Sequence, residues 1–129
     1  RSISSEDYFI GMFETALDSN EIITQITFPI PDKSAYIKFP NPASRYAMVG
    51  VFMAKTGNKV NVAITGASEN GVFRSSEIEN ALTANFTLES IDGLNISSDG
   101  LISDIHASSS YRANLIKEMA KRALKDIIT

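Results

Sequence analysis

Four groups of residues have types and spacings that could do chemistry. Tyr36, Lys38, Arg45 and Tyr46 form the first. If residues 33–39 are a strand, Tyr36 and Lys38 share a face, because side chains alternate along a strand. A ring beside an ammonium suits a flat, electron-rich ligand, and the same pair equally suits the amphipathic face of an edge strand. Asp104, His106 and Ser108 to Ser110 make the second group, with the residue types of a hydrolytic triad. Triads are assembled from distant segments, however. This stretch reads better as a helix start, with His106 in the turn and Asp104 or Ser108 accepting from backbone N–H groups. The third group, Gly66-Ala67-Ser68-Glu69-Asn70-Gly71, could bring backbone N–H groups to a phosphate. Its spacing matches no phosphate motif, and it reads as a strand-to-helix connection. Glu77 and Glu79, the fourth, are two apart on an expected helix, so they do not face each other and read as solvated.

Composition narrows the field further. The chain has 129 residues, 43% hydrophobic and 21% charged, which suits a single globular domain over residues 1–129. Twelve basic and fifteen acidic residues leave a net charge of −3, with no electrostatic footprint for nucleic acid. Cys is absent and His occurs once, which excludes disulfides, iron–sulfur ligation, thiolate zinc and a histidine-rich metal site. No apolar run approaches the roughly 20 residues of a membrane span, and no signal peptide opens the sequence. A cytoplasmic location is the expectation. GxGxxG, Walker A and GxSxG sequences do not occur.

The elements that would position these groups follow from periodicity. Ser5-Glu6-Asp7 reads as the start of a short helix, with Tyr8, Phe9 and Met12 or Phe13 as its apolar face. Residues 21–29 (EIITQITFP) place Ile22, Thr24, Ile26 and Phe28 on one face and predict a strand ended by Pro29 and Pro31. Residues 33–39 predict a second strand, stopped by Pro40 and Pro42. Residues 46–55 are apolar on both faces, as an inner strand is. Thr56-Gly57-Asn58 is a turn, and residues 59–65 alternate, so the two segments predict a β-hairpin. Ser75 or Ser76 caps a helix carrying Ile78 and Leu82, and residues 87–91 suggest another short helix. Residues 93–100 read as loop. From about Ser108 to Ile127 a long helix shows Tyr111, Leu115, Met119, Ala123 and Ile127 at four-residue steps, with Lys117, Lys121 and Lys125 on its solvated face. Four strands and these helices predict an α+β fold, an antiparallel sheet of about four strands with helices packed on one face.

Several of these segments, in order, resemble one family. They are Asp7-Tyr8-Phe9 with Gly11, leading into Glu21-Ile22-Ile23-Thr24; Ala35-Tyr36-Ile37-Lys38-Phe39; and Asn41-Pro42-Ala43-Ser44-Arg45-Tyr46-Ala47. Next come Val62-Ala63-Ile64-Thr65-Gly66, Arg74 and Glu77 to Leu82. The last are Asp104-Ile105-His106-Ala107-Ser108, Tyr111-Arg112, Leu115 and Arg122-Ala123-Leu124. The ordered combination resembles the C-terminal domain of the FAD-binding medium subunit of molybdenum hydroxylases, the carbon monoxide dehydrogenase, xanthine dehydrogenase and aldehyde oxidoreductase family.

The resemblance implies a domain of a longer flavoprotein subunit that closes over FAD, with Tyr36 and Lys38 approaching the isoalloxazine ring. It implies partners as well: the FAD-binding N-terminal domains of the same subunit, an iron–sulfur small subunit and a molybdenum large subunit. Electrons would pass from the iron–sulfur clusters to FAD and on to an external acceptor. The chain would then be part of an oxidoreductase with no catalytic residue of its own, inactive alone and binding FAD weakly or not at all. The sequence departs from the family pattern at Pro40, where a basic residue often stands, so no anion contact is carried over to that position. A second reading is a docking module that assembles the multi-subunit dehydrogenase through the long helix and the Tyr111-Arg112 corner, with little flavin contact.

Overall fold

A computed structural model describes residues 1–129. The chain opens with one helical turn, α1 (Ser5–Tyr8), capped by the Ser4 hydroxyl, which accepts from the Asp7 N–H. A small hairpin follows, β1 (Phe9–Gly11) and β2 (Glu14–Thr15). The main sheet is an antiparallel meander in the order β3 (Lys33–Pro40), β4 (Ala47–Thr56), β5 (Lys59–Ser68) and β6 (Gly71–Arg74). Three helices complete the domain: α2 (Ser76–Ala84), α3 (Leu88–Asp92) and α4 (Ser109–Ile128). The α+β architecture and the four-stranded sheet agree with the expectation from sequence.

The alternation of side chains decides which sheet face is covered. Ala35, Ile37 and Phe39 from β3 point the same way as Val49, Val51 and Met53 from β4 and Val60, Val62 and Ile64 from β5. This face meets α4, which lies across β3 and β4, and α2, which lies against β5. Ile116, Met119, Ala120, Ala123 and Leu124 of α4 and Ile78 and Leu82 of α2 are buried between the layers. The opposite sheet face carries no helix.

A buried cation ties the start of α4 to the sheet. Arg112 is 3% exposed. Its Nη1 donates to the carbonyls of Met48 at 2.6 Å and Gly66 at 3.2 Å, and Nη2 donates to Asp104 Oδ2 at 2.8 Å. Asp104 Oδ1 accepts from the His106 and Ala107 N–H groups, and Ser108 Oγ accepts from the Tyr111 N–H, so the segment before α4 is the helix cap that the sequence suggested. The β4–β5 ladder ends at the Gly50–Thr65 pair. Beyond it Gly66 adopts φ +75°, and a Cβ there would stand 2.2 Å from the Ala47 carbonyl oxygen. Arg112 supplies the donors that the interrupted ladder no longer provides at Met48 and Gly66.

Five expectations are corrected. Residues 21–29 form no strand: Ile22, Ile26 and Phe28 are 82%, 64% and 80% exposed, and no neighbouring strand pairs with them. The fourth strand is instead β6, because Gly66 to Gly71 is no strand-to-helix connection; β5 runs on to Ser68 and turns back at Glu69-Asn70. The first helix stops at Tyr8, and Phe13 lies fully exposed at φ +60° in the β1–β2 turn rather than on an apolar helix face. Tyr111 is half-exposed with its ring edge against Phe39, and Arg112 takes the inward position beside it. Glu79 is not solvated; its side chain accepts from Arg74 at 2.7 Å and from the Val62 N–H at 2.7 Å.

Candidate functional site

The helix-free face of the sheet gathers the residues singled out by type. Tyr36 and Lys38 alternate with the core residues Ala35, Ile37 and Phe39, so both project from this outer face. Tyr36 stands opposite Phe52, and Lys38 stands opposite Gly50, which in turn faces Thr65. Gly50 is the position on which this arrangement depends. A Cβ there would lie 2.5 Å from Tyr36 Oη, 3.1 Å from Tyr36 Cε2 and 2.5 Å from Thr65 Oγ1. The Tyr36 ring therefore leans across the glycine and buries it, although no helix covers this side. Tyr36 keeps 50% of its surface open and Phe52 keeps 43%. Together they make an apolar shelf with a glycine floor.

Lys38 borders the shelf. Its Nζ donates to the Arg45 carbonyl at 3.0 Å. That carbonyl is fixed by the turn between β3 and β4, in which Asn41 Oδ1 accepts from the Ala43 and Ser44 N–H groups, and the Arg45 N–H donates to the Asn41 carbonyl. Arg45 itself sits at φ +65°, a conformation that costs a non-glycine residue free energy. Neither Lys38 nor Arg45 takes part in an ion pair, whereas Arg1, Arg74, Arg112 and Lys121 do. The cation–π contact in the chain is Lys55 over Phe86, at 5.4 Å, so Lys38 is held by the turn rather than by the Tyr36 ring.

The other sequence candidates do not converge on this face. Asp104 is committed to two backbone N–H groups and to Arg112. The amides of Ala107 and His106, and after them the Arg112 guanidinium, hold its carboxyl below the usual carboxylate range. Ser108 caps α4, and His106 is exposed. No three His, Asp or Glu side chains are arranged to hold a metal ion. A hollow of about 300 Å³ lies beside the β5–β6 hairpin, lined by Ser68, Arg74, Ser76, Glu77 and Asp99 among others, away from Tyr36 and Lys38. Sequence reasoning missed Gly50, Phe52 and Thr65. The available signal was a glycine between valines in an inner strand, which marks a close approach by another group.

No family model matches the chain. It is 28% identical over 134 residues to the nicotine 6-hydroxylase medium subunit of Paenarthrobacter nicotinovorans, a match covering 96% of this chain and 47% of that protein. It is 28% identical over 137 residues to the glyceraldehyde dehydrogenase medium chain of Sulfolobus acidocaldarius, covering 98% and 49%. With the carbon monoxide dehydrogenase medium chain of Hydrogenophaga pseudoflava the identity is 26% over 138 residues, covering 96% and 47%. The chain thus spans about half the length of these curated relatives. Its fold matches the crystal structure of quinoline 2-oxidoreductase from Pseudomonas putida 86 with a TM-score of 0.73 at 21% identity, covering 98% of this chain and 48% of that one. No helix is long and apolar enough to cross a membrane.

Proposed function

We propose that this chain, a homologue of the medium subunits of molybdenum hydroxylases, acts as the C-terminal domain of an FAD-binding subunit and closes over the flavin with the outer face of its sheet. The observation that carries this reading is the Tyr36–Phe52 shelf over Gly50, bordered by Lys38. Its chemistry suits one part of the cofactor. A flat ring system can lie on an aromatic surface, and an ammonium can stand at its electron-rich edge. The chain has no glycine-rich turn of the kind that binds a pyrophosphate, so that part of FAD falls to other domains. Bound flavin would supply the electron-transfer chemistry between iron–sulfur clusters and an external acceptor.

The roles of this chain's residues follow from position. Tyr36 limits water at the ring face and fixes the plane of the ring. Lys38, held by the Arg45 carbonyl, places a positive charge that favours the state of the ring carrying more electrons. The docking alternative draws less from the geometry. Of the Tyr111-Arg112 corner, Arg112 faces inward and is spent on Met48, Gly66 and Asp104, Tyr111 alone stays half-exposed, and the apolar stripe of α4 is spent on the sheet.

Taken alone, the chain should bind FAD weakly. An aromatic contact contributes roughly 0.5–1.5 kcal/mol beyond its buried area, and association costs about 4 kcal/mol or more. Titration of FAD into the chain should show no micromolar binding. In the whole subunit, Lys38→Met should lower the flavin reduction potential, and Tyr36→Ala should quicken reaction with small oxidants. Micromolar binding by the chain alone, or an unchanged potential in the Lys38→Met subunit, would refute the assignment. The coding sequence upstream of Arg1, in frame or as a neighbouring gene, should carry glycine-rich FAD-binding segments.

A further inference from the structure

The hollow beside the β5–β6 hairpin gathers polar groups that the rest of the chain leaves unused. It lies where α2 begins, against residues 96–101. Bonding in α2 starts with the Glu79 N–H, which donates to the Ser75 carbonyl. The N–H groups of Ser76, Glu77 and Ile78 therefore have no acceptor within the helix. Ser75 stands before them at the N-cap and lines the hollow. It is 8% exposed, yet its hydroxyl neither caps the helix nor pairs with another group of the chain. Polar groups buried to that degree are bonded as a rule, which points to a partner from outside the chain.

Two carboxylates share the hollow. Glu77 and Asp99 line it, and neither belongs to an ion pair. The one cation of the lining, Arg74, is spent on Glu6, Glu79 and Asn61. This mixture selects against a simple ion. An anion would gain the positive end of the helix and the Ser75 hydroxyl, but would meet two uncompensated carboxylates. A cation would gain the carboxylates, but would sit against the positive helix end and leave its N–H groups unpaired. A molecule with a carboxylate and an ammonium on neighbouring atoms satisfies both sets. Phe73, Ile96 and Leu101 supply the apolar part of the lining, and about 300 Å³ is at the small end of ligand sites. We propose that this hollow binds a single α-amino acid with an apolar side chain, its carboxylate on the start of α2 and the Ser75 hydroxyl, its ammonium on Asp99 and Glu77. The site lies away from Tyr36 and Lys38 and does not depend on the flavin reading.

Amide chemical shifts of the chain, followed by NMR during titration, test this with four probes. They are L-valine; 3-methylbutanoate, which is valine without its ammonium; 2-methylpropylamine, which is valine without its carboxylate; and D-ribose. L-valine should move the amides of Ser76, Glu77, Ile78, Asp99 and Gly100 and saturate. Each half-molecule should bind about 10-fold or more weakly, since each lacks one charged, hydrogen-bonded end. Ser75→Ala should weaken L-valine roughly 5-fold or more without lowering the urea midpoint, because the hydroxyl bonds nothing in the chain. Asp99→Asn should weaken L-valine and tighten 3-methylbutanoate, from which it removes a repelling charge. Equal binding of 3-methylbutanoate and L-valine overturns the proposal in favour of an oxyanion site, and equal binding of the amine in favour of a cation site. Tighter binding of D-ribose overturns it in favour of a polyol. Absence of any shift at the start of α2, or an affinity for L-valine unchanged by Ser75→Ala, overturns it outright.

Discussion

Replacing Gly50 by alanine probes the shelf directly. The new Cβ would stand 2.5 Å from both Tyr36 Oη and Thr65 Oγ1. Ordinary contact requires roughly 3.5 Å, so the Tyr36 ring tip and the Thr65 hydroxyl must each withdraw by about 1 Å. Thr65 is β-branched and stiff at χ1, and most of the motion falls on the tyrosine, whose ring must lift off the sheet. Overpacking of this kind costs about 1–3 kcal/mol. Against it stands a gain of roughly 0.5–1 kcal/mol for alanine over glycine in a strand interior, since the backbone of Gly50 needs no positive φ. Urea unfolding of Gly50→Ala should therefore show a net loss. The same substitution in a Tyr36→Ala/Thr65→Ala background should show a net gain, because both obstacles are gone, and the double-mutant comparison isolates the contact. In the whole subunit, Gly50→Ala should reproduce the effect of Tyr36→Ala on small oxidants. An equal loss in both backgrounds would show that Tyr36 does not lie across Gly50.

Further outcomes follow from the core and its buried cation. Met119→Ala, at a side chain 1% exposed between α4 and the sheet, should cost about 2–5 kcal/mol in chemical denaturation, and an unchanged midpoint would place it outside the core. Arg112→Leu should strand the Met48 and Gly66 carbonyls at about 1–3 kcal/mol each, and full stability in the variant would show that water replaces the guanidinium. Asp104 has a folded-state pKa below its unfolded value. Its contribution is therefore present above the ordinary carboxylate value near 4 and is lost as pH falls through the lower folded value. The stability difference between the parent chain and Asp104→Asn should accordingly shrink with acidification below about pH 4, and a difference independent of pH would contradict the pairing. Under the proposed function, His106→Gln should leave flavin reduction in the assembled enzyme within a few-fold, and a loss of several orders of magnitude with intact folding would give His106 a part in the chemistry.

What the sequence revealed depended on how local each signal was. The β4–β5 hairpin was legible because a continuous apolar run on one strand and alternation on the other flank the short turn at Gly57. The shared face of Tyr36 and Lys38 was legible because it needs only a period of two. Residues 21–29 misled because β-propensity describes a fit to a pleated, half-buried surface, and this segment lies exposed with no strand beside it. β6 was missed because four residues opening with a glycine carry too little periodicity to separate from a loop. Gly50, Phe52 and Thr65 gain their meaning from cross-strand register, and the Arg74–Glu79 pair from packing at the β6–α2 corner. Neither can be read off a single segment. The Arg112 network is less legible still, since a charged residue on an apolar helix stripe gives no hint that two carbonyls are waiting for it.

The ends of the 33–129 unit meet: Lys33 Nζ at the start of β3 donates to the Ile127 carbonyl near the end of α4, 3.0 Å away. Synthesis therefore delivers the floor long before the roof. The four strands are complete at Arg74, whereas α4 closes at Ile128. A chain that stops in that gap has Val49, Val51, Met53 and their neighbours as a sheet face without α4. Chains truncated between residues 75 and 109 should therefore be the ones most open to chaperone capture or to aggregation, and should give less folded protein than chains that reach Ile128.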